Sequence, residues 1–172
     1  MKQKQRIHCI GIGGIGVSAL AKYYLAKGYE VSGCDLARSE ITDQLKTMGA
    51  KIRIGKPDPT CSVLSPKPGL GTSKIIYSPA VPQNHPELLQ AKSCKLQTLS
   101  YPEALGELTK IYDTIAISGT HGKSTTTSMI GLLLTKAGLN PTVIVGTKLK
   151  EFGPSTGSGS NCKVGKGKYL VI

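Results

Sequence analysis

Apolar positions along this chain fall into short runs separated by helix-like stretches. RIHCIGI (6–12) reads as a buried strand, and VSALAKYYLAKG (17–28) as a helix closed by Gly28. YEVSGCD (29–35) is a second strand, SEITDQLKTMG (39–49) a helix with Ser39 as N-cap and Gly49 as its stop, and AKIRIG (50–55) a third strand. Strand, helix, strand, helix, strand is the pattern of a parallel, doubly wound α/β sheet. After the Pro-, Gly- and Ser-rich segment from Lys56 to Ser73, which reads as a loop, order resumes. KIIYS (74–78) is a strand, ELLQAKS (87–93) a short helix and KLQTLS (95–100) a strand; Ser100 and Glu103 then form a capping-box pattern for the next helix, with Pro102 in its first turn.

A second unit opens with YDTIAIS (112–118), a strand that runs into a Gly-rich turn and the long helix STTTSMIGLLLTKAG (124–138). NPTVIVG (140–146) is the next strand, TKLKEFGPSTGSGSNCKVGKG (147–167) a Gly/Ser-rich connection and KYLVI (168–172) a closing strand. The expected organisation is a Rossmann-like domain over 1–100, a linking helix over 101–111, and the start of a P-loop α/β domain over 112–172, whose sheet is incomplete. A length of 172 residues suits one whole domain and part of another.

Composition narrows the function classes. An apolar fraction of 39% with 19% charged residues supports a packed core. The formal charge of +12 favours anionic partners, but the basic residues are dispersed. Only MKQKQR at the start and KVGKGK near the end resemble clusters, and neither interleaves aromatic residues, so no nucleic-acid partner is expected. Cys9, Cys34, Cys61, Cys94 and Cys162 are odd in number and far apart, with no C-x-x-C pair to suggest zinc or redox work, and a reducing cytoplasm fits best. Cys9 and Cys34 sit in apolar strand-like runs, where a thiol serves as a small hydrophobe. No run approaches the roughly 20 apolar residues of a membrane span, and the N-terminus lacks the form of a signal peptide. His8 and His85 read as structural or solvent-facing, and no pattern specifies an oligomeric state.

Two Gly-rich turns carry the candidate chemistry. Gly11, Gly13 and Gly16, with Gly14 and Ile15 between them, follow a strand and open a helix. In that setting glycines allow close approach of a diphosphate and the helix N-terminus attracts negative charge. Asp35 ends the second strand, where an acidic side chain commonly bonds a ribose hydroxyl. Taken alone, this turn also suits a nicotinamide-dependent oxidoreductase or glycines used only for helix-on-sheet packing. In the second turn, Gly119, Gly122, Lys123 and Ser124 lie between strand and helix, so that backbone amides wrap phosphates, Lys reaches the β/γ-phosphates and the hydroxyl holds Mg²⁺. Ile117 replaces the first Gly of the usual P-loop. Thr125 stays near phosphate, whereas His121 either touches phosphate or shapes the turn, with shaping preferred. A noncatalytic P-loop module acting through a basic surface is a further alternative.

GIGGIGVSALAKYYLAKGYEVSGCD, YSPAVPQNHPE and SGTHGKSTTTSMIGLLLTKAGLNPT together resemble the Mur ligases of peptidoglycan synthesis, most closely the branch that joins L-alanine to UDP-N-acetylmuramate. The resemblance covers nearly the whole chain and implies that the first turn holds the UDP-sugar diphosphate, with Ser78 and Ala80 nearby. It implies that the second holds ATP, with Gly119, Thr120 and Gly122 supplying the loop, Lys123 on the β/γ-phosphates and Ser124 on Mg²⁺. The implied reaction passes the γ-phosphoryl group to the lactyl carboxylate, and the amine of L-alanine then displaces phosphate. The branch that recycles murein tripeptide onto the same UDP-sugar shares the Thr-His-Gly-Lys turn. Where the family often has Gly-His after the third strand, this chain has Gly55-Lys56. The family's metal-binding acidic residue would follow the strand ending at Ile172, so the resemblance implies that this chain does not ligate alone.

Overall fold

The computed structural model describes residues 5–57, 74–153 and 159–172. Most of the predicted Lys56–Ser73 loop and the middle of the Gly/Ser-rich connection therefore lie outside the described residues. Two compact units emerge, Met1–Ala104 and Leu105–Ile172.

In the first unit, β1 (Arg6–Ile10), β2 (Glu30–Asp35), β3 (Lys51–Ile54), β4 (Lys74–Tyr77) and β5 (Gln97–Ser100) form one sheet in the order β3-β2-β1-β4-β5. Every pairing in it is parallel. Helices α1 (Ile15–Ala26), α2 (Glu40–Thr47) and α3 (Pro86–Ser93) make the crossovers that parallel neighbours require. This is the doubly wound α/β fold expected from the alternation of runs.

Local signals account for the helix ends. Ser39 Oγ accepts the Thr42 amide while Thr42 Oγ1 accepts the Ser39 amide at 2.9 Å, so a threonine completes the capping box usually closed by Glu or Gln. Pro86 occupies the first turn of α3, where its missing N–H costs nothing. Gly28 and Gly49 follow α1 and α2 at φ +85° and +100°, the left-handed conformation that ends a helix. At α4 (Tyr101–Thr109), Glu103 accepts both the Ser100 amide (2.7 Å) and the Ser100 hydroxyl (2.6 Å). The serine thus donates to the glutamate, and only half of the expected box forms. These two bonds hold the Glu103 carboxyl below its ordinary range.

Side chains alternate between the two faces of a strand, so register assigns the layers. Pairing of His8 with Ser32 and Ile75, and of Cys34 with Ile10 and Arg53, puts these side chains on one face. Leu88 and Ala91 of α3 pack there against Ile10, Cys34 and Ile75. Ile7, Cys9, Val31, Gly33 and Ile76 point to the other face, the side covered by α1. Both faces are buried, which is why these strands read as apolar runs rather than alternating ones.

One polar island interrupts the α3 side. Glu87, fully buried, accepts His8 Nε2 at 3.0 Å and Cys34 Sγ at 3.0 Å through Oε2, and pairs with Arg53 Nη2 through Oε1. His8 Nδ1 meets Ser32 Oγ at 2.9 Å. Burial, reinforced by the Arg53 charge, lowers the His8 pKa to about 4, so the imidazole is neutral at neutral pH. His8 is structural, as expected; Cys34 is not simply a hydrophobe, because it hydrogen-bonds a carboxylate.

The second unit holds β6 (Asp113–Ile115), β7 (Thr142–Leu149), β8 (Ser160–Lys163) and β9 (Tyr169–Val171) in the order β6-β9-β7-β8, with α5 (Lys123–Lys136) on β7. β6, β9 and β7 run parallel, while β8 returns antiparallel to β7. β8 lies in the stretch read as a connection: SNCK is short and polar and stands among glycines and serines, so its periodicity is invisible. Gly131 lets α5 approach, since a Cβ there would lie 2.8 Å from Val143 Cγ2.

Two glycines give opposite expectations for stability. A Cβ at Gly33 would fall 2.5 Å from the Cys9 carbonyl oxygen and 2.7 Å from Ile12 Cδ1, so Gly33→Ala should destabilise the first unit by about 1–3 kcal/mol. Gly106, inside α4, has open space around its Cβ position, and Gly106→Ala should stabilise the chain by about 0.5–1 kcal/mol. Thermal melts followed by circular dichroism would read both, with the midpoints moving in opposite directions.

Candidate functional site

The first turn is built at the carboxyl end of β1. Gly11 takes φ +74° and its amide donates to the Cys34 carbonyl at 2.9 Å, with the Ile12 amide on the same oxygen at 3.1 Å. The chain is thereby tied to the end of β2 while it turns into α1. Gly14 is the N-cap and contributes no side chain, and the first turn of α1 holds no acidic residue, so the positive end of the helix is not neutralised from within it.

The segment after β4 closes over this turn. The Ser78 amide donates to Ile10 O at 3.0 Å, and the Val81 and Ala80 amides donate to Ser78 O (2.9 Å) and Oγ (3.3 Å). A Cβ at Gly11 would lie 3.1 Å from Ser78 Cβ and 3.3 Å from Val81, and one at Gly14 would lie 3.9 Å from Ser78 Oγ. Gly11, Gly14, Ser78 and Ala80, chosen from distant parts of the sequence, therefore meet at the carboxyl end of the sheet. Ile15 opens α1 with 39% of its surface exposed.

Two of the predicted residues are engaged in other ways. Asp35 Oδ2 accepts the Gly13 amide at 2.7 Å, and Oδ1 accepts the Ala37 amide at 3.4 Å, so the carboxylate braces the turn itself. Gly16 faces the Tyr101 ring, which a Cβ would meet at 2.8 Å; this glycine serves the packing of α1 against the start of α4. Tyr101 and Val81 were not foreseen as partners of the turn. Neither stands in the Gly-rich turn itself, and only the chain's return to this end of the sheet brings them there.

The second turn, in the other unit, joins β6 to α5. Gly119 at φ +151° and Gly122 at φ +75° adopt conformations that favour glycine, and Gly122 caps α5 without a side chain. Lys123 Nζ donates to Gly119 O at 2.5 Å and to Thr120 O at 3.3 Å, so its charge lies over the turn. Ser124, half-buried, faces β7: a Cβ at Gly146 would lie 3.7 Å from its hydroxyl. Thr120, His121 and Thr125 are exposed, whereas Thr127 and Ser128, within α5, are buried. Beneath the turn, the Ile117 amide donates to Ile172 O (2.7 Å) and the Ile172 amide to Ile115 O (3.0 Å). The outcome is a helix N-terminus with a lysine and a serine in its first turn and no acidic residue there, an arrangement suited to a polyphosphate and its divalent ion.

Comparison with known proteins gives the chain its family. The family described as "Mur ligase family, catalytic domain" matches residues 6–113. The UDP-N-acetylmuramate–L-alanine ligase of Persephonella marina is 44% identical over 167 residues, which cover 97% of this chain and 33% of that protein. The chain spans about a third of the length of the curated relatives it matches. Among solved structures, the UDP-N-acetylmuramate-alanine ligase of Thermotoga maritima superposes with a TM-score of 0.80 at 27% identity, covering 96% of this chain and 36% of that one. The UDP-N-acetylmuramate:L-alanyl-γ-D-glutamyl-meso-diaminopimelate ligase from Neisseria meningitides has a TM-score of 0.81 at 25% identity, covering 98% of this chain and 52% of that one. The chain, with its two Gly-rich turns each set between a strand and a helix, belongs to the Mur ligase family.

Proposed function

We propose that this chain is the nucleotide-handling part of a cytoplasmic ligase that joins L-alanine to UDP-N-acetylmuramate at the expense of ATP. The observation that carries this reading is the pairing of two different anion cradles, one in each unit. A single hydride-transfer reaction on a nicotinamide cofactor would leave the Gly119–Ser124 turn without a role, and the relative that is 44% identical is an alanine-adding ligase. Fold similarity to the murein tripeptide ligase is as high, but among the described residues no feature of this chain's own site favours that substrate.

In this reading the diphosphate of the UDP-sugar lies against the α1 N-terminus, bounded by Gly11, Gly13, Gly14, Ile15 and Gly16, with Ser78 and Ala80 lining the approach. Asp35 contributes by holding the Gly13 amide and so keeping the turn in shape. Gly16 contributes by letting α1 seat closely on Tyr101.

The second turn fits a nucleoside triphosphate with its metal. Two positive-φ glycines and an uncapped helix start supply backbone amides, and no Cβ fills the cradle at Gly122. Gly119, Thr120, His121, Gly122 and Thr125 would surround the phosphates and Ser124 would hold Mg²⁺. Bound there, MgATP supplies the phosphoryl group that activates the sugar's carboxylate. Lys123 neutralises charge where a carboxylate must approach an already anionic phosphate, and the turn positions the chain of phosphates.

Calorimetric titration should show that the chain binds UDP-N-acetylmuramate and not NADH, and that Gly14→Val abolishes the binding. NADH binding without the UDP-sugar would overturn the assignment in favour of an oxidoreductase. Lys123→Ala removes a charge-assisted contact of about 1.5–3 kcal/mol and should weaken MgATP by about 10- to 150-fold while leaving the UDP-sugar affinity unchanged. Unaltered MgATP affinity in that variant would remove the second turn from the proposal.

A further inference from the structure

The buried island beneath α3 is not used by either cradle, and it has the composition of a metal site. We propose that His8 Nε2, Cys34 Sγ and Glu87 Oε2 form a binding site for a borderline-soft divalent ion of the Zn²⁺ class, which ties β1, β2 and α3 together. The inference is independent of the nucleotide assignments.

Convergence is the first support. All three ligand atoms lie within 4.8 Å of one another, and both the imidazole nitrogen and the thiol sulfur are 3.0 Å from the same carboxylate oxygen. Tetrahedral zinc, with bonds of about 2.0–2.3 Å, holds its donors roughly 3.3–3.6 Å apart, so the two contacts to the carboxylate oxygen would lengthen by a few tenths of an ångström around the ion. Imidazole, thiolate and carboxylate are also zinc's preferred donors, whereas Mg²⁺ and Ca²⁺ prefer all-oxygen sets.

The surroundings supply what a metal-bound histidine needs. Ser32 Oγ stands 2.9 Å from His8 Nδ1 and can turn its own hydrogen toward Ile7 O, 3.4 Å away. With the ring proton on Nδ1 donating to Ser32, Nε2 is left with its lone pair toward the ion, the outer-shell arrangement usual for metal-bound histidine. Binding takes the thiolate form of Cys34, so the thiol proton leaves to solvent as the ion enters.

One dication with one thiolate and one carboxylate sums to zero, which leaves the Arg53 guanidinium on Glu87 Oε1 as the single net charge of the loaded cluster. The Arg53 side chain is 35% exposed, while those of His8 and Glu87 are 3% and 0% exposed. Arg53 is therefore where the island meets solvent and where an ion would enter. Cys9, one residue from His8 but on the opposite face, makes the contrast: among the described residues it belongs to no such cluster.

The test is titration of the reduced chain with Co²⁺ and Zn²⁺, with Mg²⁺ as the control ion. One equivalent of Co²⁺ should produce thiolate-to-cobalt charge-transfer absorption and tetrahedral ligand-field bands, Zn²⁺ should displace it, and Mg²⁺ should not. Cys34→Ser and His8→Asn should each weaken binding at least 100-fold, while Cys94→Ser leaves it intact. Binding that survives Cys34→Ser, or no stoichiometric binding, overturns the proposal. Should either variant fail to fold, X-ray absorption of the zinc-loaded parent chain still decides: one sulfur with imidazole nitrogen in the first shell supports the site, and a shell of oxygen and nitrogen alone contradicts it.

Discussion

A parallel strand that runs directly into a helix leaves the first helical amides without backbone acceptors, and those amides point away from the strand's carboxyl end. This constraint acts twice here, after β1 and after β6, and the side chains around each turn respond to it. At the first, the peptide at Gly11 is locked to Cys34 O and Asp35 takes the Gly13 amide, so part of the demand is met internally. At the second, the Lys123 ammonium lies over the carbonyls of Gly119 and Thr120, and no acidic side chain enters the first turn. One turn is braced by a carboxylate and the other is dominated by an ammonium. That difference suits the first to a ligand held partly by shape, and the second to the more highly charged triphosphate.

The architecture was largely legible because its signals are local. Glycine after a helix, serine before one and unbroken apolar runs for strands buried on both faces are all read within a few residues. Hence the order of elements in the first unit is recovered to within a residue or two at most ends. β8 was missed because SNCK carries no apolar period and its pairing with β7 is a long-range fact. In the site, the turn residues could be named from spacing alone, but their partners could not. That Gly16 faces Tyr101, or that Ser78 sits beside Gly11 and Gly14, follows from the β3-β2-β1-β4-β5 order, which returns distant segments to one end of the sheet.

The buried island shows the same limit more sharply. His8, Ser32, Cys34, Arg53 and Glu87 come from three strands and a helix, and each alone reads as a bland residue. Register aligns the strand members on one face, and α3 lowers a carboxylate into their midst. Such a group is costly to bury and is tolerated because each oxygen has donors; removing one partner of a buried charged network typically costs about 3–5 kcal/mol. Glu87 thereby fixes where α3 sits on the sheet, and α3 is what carries the chain from the Ser78–Val81 wall of the first turn back to β5.

The central claim is that the two turns serve two different nucleotides. Amide NMR spectra of the chain titrated separately with UDP-N-acetylmuramate and with MgATP test it most directly. The account predicts that the sugar nucleotide shifts Gly11 to Gly16 with Ser78 and Ala80, that MgATP shifts Gly119 to Thr125, and that either set responds unchanged when the other ligand is already bound. Both ligands moving the same set of amides, or the UDP-sugar moving only the second turn, would contradict it.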